Sequence, residues 1–247
     1  MVERTLELNA TLTTEVIPLF GASRIRIQRA LKFIGELKEA HRQYEENEPL
    51  SAVIEFILPD FLLQPTFSWK GIGLNTGAIV GDCIHSLRVS LDLMASELAR
   101  INQKNDKQVY FPFAESAAEF PKAIKSKNFN KCGQDAVDLL ANFAPYKGGN
   151  ERLRAIHDLD IRDKHTALVL THAVMEFQIV HKITVTEPGV KQTVPVEVKD
   201  VQFIFPADTP LAGLPVIKTL EELVELIDGI IEAFARMIDL RSAQGVV

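Results

Sequence analysis

TGAIVGDCIHSLRVSLDLMASELARINQ, residues Thr76 to Gln103, is the stretch whose reading decides the fold. Val80, Ile84, Leu87, Leu91, Met94, Leu98 and Ile101 recur at spacings of four and three, which predicts one buried face on a long helix. Val89 and Leu93 lie nearly opposite that face, so the helix is expected to have neighbours on both flanks. Between the two apolar faces runs a polar stripe. His85, Arg88 and Asp92 stack within about 60° of one another at 100° per residue. Ionisable groups on a helix enclosed on two sides need partners, because burying a charge without one is costly.

Outward from this helix, the same periodicity predicts three more. Residues 23–46 carry Ile27, Leu31, Ile34 and Leu37 on one face, continued by His41 and Tyr44. Residues 151–165 form a second polar helix, and residues 218–241 a C-terminal one with two apolar stripes. A face that wide belongs deep in a bundle or at an interface between copies, which makes a homo-oligomer through the C-terminal helix one expectation. Shorter helices are expected around 116–126 and 134–143. Residues 52–58 and the weakly alternating 4–12 read as strands, whereas Pro59 to Asn75, with the chain's sole tryptophan Trp69, reads as a long connection of the functional or mobile kind. From Thr166 the period falls to two. Residues 167–177, 178–186, 191–198 and 201–205 are expected to be strands, with a turn at Glu187-Pro188-Gly189. The whole predicts one α+β domain over 1–247: 23–165 mainly helical, 166–205 a β-meander, 218–241 the closing helix. Its core is a bundle of about four long helices, with an antiparallel sheet from the C-terminal half.

Composition sets the outer limits. The chain of 247 residues is 47% hydrophobic and 24% charged with a formal charge of −6, ordinary for a folded protein and unfavourable for a broad nucleic-acid-binding surface. Arg24, Arg26, Arg29 and Lys32 crowd one helix start but are balanced by Glu36, Glu39, Glu45 and Glu46. No apolar leader and no run of 18 apolar residues occurs, which predicts a cytoplasmic protein without a membrane partner. Two cysteines, Cys83 and Cys132, make no disulfide framework, and neither has an evident base beside it.

The candidate site lies where the two polar helices meet. His157, Asp160 and Lys164 repeat the spacing of His85, Arg88 and Asp92, with Asp163 and His165 flanking the end of their helix. If the constellations face each other, Asp92 meets Lys164, Arg88 meets Asp160 or Asp163, and the two histidines lie between. Such a cluster of His85, Arg88, Asp92 and His157, with Asp160, Asp163, Lys164 and His165 as ligand contacts, suits an anionic small molecule or RNA. Arg88 would stabilise phosphate charge and His85 or His157 would move the proton. The alternatives are a polar network that only fixes helix register, and a divalent-metal site built from Asp82, His85, Asp92, His157, Asp163 and His165. Arg88 and Lys164 argue against the metal by placing cations beside it. No cofactor fingerprint is present, and His172 and His181 stand alone in their strands.

The strings Gly81-Asp82-Cys83-Ile84-His85-Ser86-Leu87-Arg88 with Leu91-Asp92, Phe111-Pro112-Phe113, Ala144-Pro145-Tyr146, and Ile156-His157 to Asp163-Lys164-His165 resemble a family of bacterial proteins that has no assigned activity. The resemblance covers about residues 23 to 170. A looser likeness is to the HEPN superfamily of RNA-cleaving and nucleotide-interacting helical proteins, whose active motif sets a His four residues after an Arg. The bacterial family's L-R-x-x-L-D-H would supply that His, whereas this chain has Leu93 there. The resemblance implies phosphodiester cleavage only if His85 or His157 replaces it.

Overall fold

The structure, a computed structural model, describes residues 18–57, 62–165, 172–179 and 191–243. Its long helices are α1 (Gly21–Glu46), α2 (Leu74–Ile101), α5 (Glu151–His165) and α6 (Val216–Ala243), each within two residues of the expected bounds. Two shorter helices, α3 (Phe120–Ser126) and α4 (Gln134–Phe143), lie between α2 and α5. The protein is α+β: a helical bundle with antiparallel sheets at one end.

The bundle forms because α2 is buried on most of its circumference. Val80, Ile84, Leu87, Leu91, Met94 and Leu98 are all fully buried. Each such side chain contributes roughly 1.5–3 kcal/mol on leaving water. Helix α1 runs antiparallel to α2, as the contacts at its start and middle show. The Phe20 N–H donates to Glu97 Oε1 at 2.9 Å, and the Cys83 thiol points at the Ala30 carbonyl at 3.6 Å. Phe20 caps α1 at φ 56, a conformation uncommon for an aromatic residue, and is itself fully buried. The inward face of α1 is Ile27, Ala30, Ile34 and Leu37. Leu31, expected on that face, is 49% exposed because its place is taken by Ala30 one step round the helix. Helix α6 packs against α1 and α2 with Leu220, Leu223, Ile227, Ile230, Ile231 and Phe234 buried. Its wide apolar face is thus largely covered within the chain. Arg24 also turns from the N-terminal basic patch to Glu232 of α6, at 2.7 Å.

The β-structure departs from expectation in two places. Residues 62–69 are not connection but a strand, β2 (Leu62–Trp69), paired antiparallel with β1 (Leu50–Ile57). Pro65 is tolerated there because β2 is the outer strand of its sheet. The sheet therefore comes less from the C-terminal half than expected. The order β2-β1-β4 places only β4 (Lys191–Val194) of that half beside two strands from residues 50–69. The second sheet is the pair β3 (His172–Ile179) and β5 (Val196–Ile204). The sequence pattern splits this region after Val198, where the inward residues change from even to odd numbers. In the structure that change is a bulge at Lys199 inside β5. The true break is at Pro195, which has no N–H for a ladder and where the chain passes from one sheet to the other. Ala52, Ile54 and Val194 form a small second core between the sheets, with Phe67 and Phe177 edge to face at 5.1 Å. His41 ties α1 to this end, its Nε2–H donating to the Val201 carbonyl at 2.7 Å. The strand expected over 4–12, the turn at 187–189 and His181 fall outside the described residues.

The end of α6 is fastened by Arg241. It is buried, pairs with both oxygens of Asp135 at the start of α4, and donates to the Cys132 carbonyl at 2.9 Å. Gly133 lies under that guanidinium at φ +103, and a Cβ there would sit 2.7 Å from Arg241 Nη2. Gly133→Ala is expected to cost more than about 1 kcal/mol through backbone strain alone. The measurement is the urea midpoint, and an unchanged midpoint would show that the backbone at 133 carries no such strain.

Candidate functional site

Helices α2 and α5 cross antiparallel, and their register decides which polar groups meet. Gly81 faces Asp163, His85 faces Asp160, and Arg88 lies near His157. Glycine inside a helix costs about 1 kcal/mol relative to alanine. Gly81 has a packing reason for its place, since a Cβ there would fall on the Asp163 carboxylate. The two constellations do face each other, but not with the partners the spacing suggested. Lys164 follows Asp163, the residue opposite Gly81, and Asp92 lies eleven residues beyond Gly81 along α2, about three turns away. Lys164 therefore pairs with Asp160 on its own helix at 2.7 Å, and Asp92 pairs with Arg88 on its own helix at 2.5 Å.

The result is two separate groups. In the first, His85 Nδ1–H donates to Asp160 Oδ1 at 2.8 Å while Lys164 Nζ holds Asp160 Oδ2. The Asp160 side chain is buried, and those of His85 and Lys164 are 41% and 43% exposed. A carboxylate on Nδ1 fixes the imidazole tautomer with its lone pair on Nε2. This group can accept a proton or bind a polar ligand at the surface.

The second group is centred on the buried Arg88, with Asp92 and His157 half-buried beside it, and holds the segment 108–114 to the bundle. This segment has Pro112 in it and, among the described residues, no strand partner beyond a single bridge from Ala114 to Tyr146. Its peptide groups nevertheless need partners once buried. Side chains from α2 supply them in a row. Ser96 donates to the Val109 carbonyl at 3.2 Å, Asp92 accepts from the Phe111 N–H at 2.9 Å, and Arg88 Nη2 donates to the Phe111 carbonyl at 3.3 Å. Positions 88, 92 and 96 are one helical stripe, so α2 serves the segment as a neighbouring strand would. The Arg88 guanidinium also covers one contact surface of Phe113, 4.8 Å from its centroid. His157 stacks on Phe113 at 4.7 Å and 3°. Arg88 Nη1 meets Asp92 as an ion pair without an aligned hydrogen bond.

Arg154 completes the hold and was not singled out from the sequence. It is buried, donates to the Ala114 carbonyl at 2.7 Å, and pairs with Glu115 and Asp158 at 2.6 and 2.7 Å. Burial lowers its pKa, but the two carboxylates outweigh that and raise it. Its i, i+4 spacing to Asp158 was the available signal. Burial first, then the charges of Arg88 and Arg154, push His157 from 6.5 down to about 4 against the opposing pull of Asp158 and Asp160. Its Nδ1 has no hydrogen-bond partner among the described residues. His165 ends α5, and its side chain lies outside the description. Cys83 is buried and its thiol is pushed up to about 12, which removes it as a nucleophile at neutral pH. Among the described residues no group of three or more His, Cys, Asp or Glu side chains could hold a metal ion. No helix among them is long and apolar enough to cross a membrane.

Comparison with models of protein families, with curated proteins and with solved structures returned no match. The molecule is defined so far by its class: an α+β bundle with a buried polar clamp and a half-open His–Asp–Lys group.

The depressed pKa of His157 has a consequence for stability. The unfolded chain takes up a proton near pH 6.5 and the folded one only near pH 4. Between those values the unfolded state binds more protons, so stability present above about pH 6.5 is lost as the pH falls towards 4. Urea midpoints of the wild type are expected to fall more steeply over that window than those of His157→Gln. Parallel curves would show that His157 titrates normally.

Proposed function

We propose that the protein is a non-catalytic scaffold or interaction protein in which Arg88, Asp92, His157 and Arg154 serve the fold. The observation that carries this reading is the use of Arg88 and Asp92 on both peptide groups of Phe111. A guanidinium that is buried and already engaged by a carboxylate, a carbonyl and a phenyl ring is poorly placed to meet a phosphate. The family-like motifs then occur together for a structural reason: F-P-F is the segment held, and the other three motifs each supply a contact to it or to the residue that follows, through Arg88 and Asp92, through the Pro145 carbonyl, which accepts from the Ala114 N–H, and through His157.

A second reading rests on the other group. The Asp160-oriented and 41% exposed His85, beside Lys164, is the part of the cluster open to an anionic ligand such as RNA or a nucleotide. Under it His85 would act as proton acceptor and Lys164 as charge partner, with no role for Arg88. Three nearby carboxylates, Asp82, Asp160 and Asp163, work against an anion there.

Two measurements separate the readings. Arg88→Ala is expected to destabilise the protein by about 3–5 kcal/mol, as for removal of one partner from a buried pair. Wild type, His85→Ala and His157→Ala are expected to be equally inactive on single-stranded RNA. Cleavage by the wild type that disappears in His85→Ala would overturn the scaffold reading in favour of the second.

A further inference from the structure

The α2–α5 group leaves one feature of the sequence unused, the sole tryptophan. Trp69 ends β2 and is 69% exposed, although tryptophan is on average among the more buried residues. No aromatic ring of the described residues packs on its indole. It stands at the rim of a groove of about 370 Å³, within the size range of small-ligand sites. Three elements build the groove: the end of α1, the link from β2 to α2, and the first residues of β3. Tyr44, Ile72 and Met175 supply apolar and aromatic wall, and Lys70 and His172 supply the nitrogen groups. No carboxylate belongs to the described residues that line it, and Asp208, whose charge is felt at His172, is paired with Arg162 at 2.7 Å.

That composition is unusual for this molecule, which carries a formal charge of −6. Its walls are also fixed in place. The Tyr44 hydroxyl donates to the Lys70 carbonyl at 2.6 Å, and the Lys70 N–H donates to the Pro49 carbonyl at 2.9 Å. Lys70 Nζ reaches back to the Asn47 carbonyl, which holds its charge beside the groove. An open indole, a positioned phenol ring and a cation without a lining carboxylate suit a planar ring that carries negative charge.

We propose that this groove binds a small anionic ligand with a planar aromatic ring, the ring stacked on Trp69 and the anionic group directed to Lys70 and His172. A phosphate on a nucleobase and a carboxylate on a phenyl ring share this chemistry. The site is remote in residue composition from the α2–α5 cluster, and it stands or falls independently of the scaffold reading.

Because Trp69 is the chain's single tryptophan, its fluorescence reports this groove alone. The full chain is titrated with AMP and with 4-hydroxybenzoate, with adenosine and inorganic phosphate as partial ligands, after correction for absorbance. Saturable quenching by at least one of the two anions is expected, with each partial ligand weaker by about tenfold or more, the loss of one charge or one stacking contact. AMP alone binding assigns a phosphate source, and 4-hydroxybenzoate alone a carboxylate source. Lys70→Gln and His172→Gln, both surface changes, are expected each to weaken the same binding severalfold with an unchanged circular dichroism spectrum. No saturation by either anion up to about 10 mM overturns the proposal, since that is weaker than any specific site of this size should show. So does binding by adenosine equal to that of AMP, or binding unaffected in both variants.

Discussion

The peptide unit of Phe111 is the point on which the polar architecture depends. Its N–H and carbonyl lie under the bundle surface in a segment that Pro112 keeps out of any regular ladder. Left without partners, two buried peptide groups would cost several kcal/mol. Arg88 and Asp92 meet both at once and neutralise each other while doing so. With Ser96 above them they form a row of side chains along α2 that runs antiparallel to the segment it binds. Phe113 then meets both the Arg88 guanidinium and the His157 ring, and Arg154 catches the next carbonyl, at Ala114. Segment 108–114 joins α2 to α5 through its own backbone.

This arrangement explains why one helical stripe has two fates. His85, one turn before Arg88, meets Asp160 of α5 directly and keeps access to solvent. Arg88, under the segment, does not, and the Asp92 side chain is only 24% exposed. Charge follows the same division. In the inner half, burial first and then two nearby guanidinium groups hold the pKa of one imidazole down, whereas the open half sets one carboxylate between an imidazole and an ammonium.

Much of the helical part was legible in the sequence because its signal is strong and local. Seven apolar residues at spacings of three and four locate α2 without reference to any neighbour. The strands were less legible for reasons that particular residues make plain. In Leu62–Trp69, Pro65 argues against a strand unless the strand is known to be an outer one, which is a property of the sheet. At Lys199 the change of parity looks like an end of strand, while the bulge that absorbs it shows only when β3 is alongside. Arg154 was passed over because an arginine beside a carboxylate at i+4 is common on exposed helices. Its burial depends on where segment 108–114 lies.

The sequence by itself determined that four long helices form, that two of them carry ionisable stripes, and that those stripes need partners. These follow from a rotation of 100° per residue and from the cost of desolvating charge, both properties of the chain taken a few turns at a time. Only the tertiary structure decided who the partners are. The antiparallel crossing of α2 and α5 sets Gly81 against Asp163 and so sends Asp92 beyond reach of Lys164, and the path of segment 108–114 gives Arg88 a backbone carbonyl, that of Phe111, as its partner. Register between elements far apart in the chain depends on the whole packing, and no local period records it.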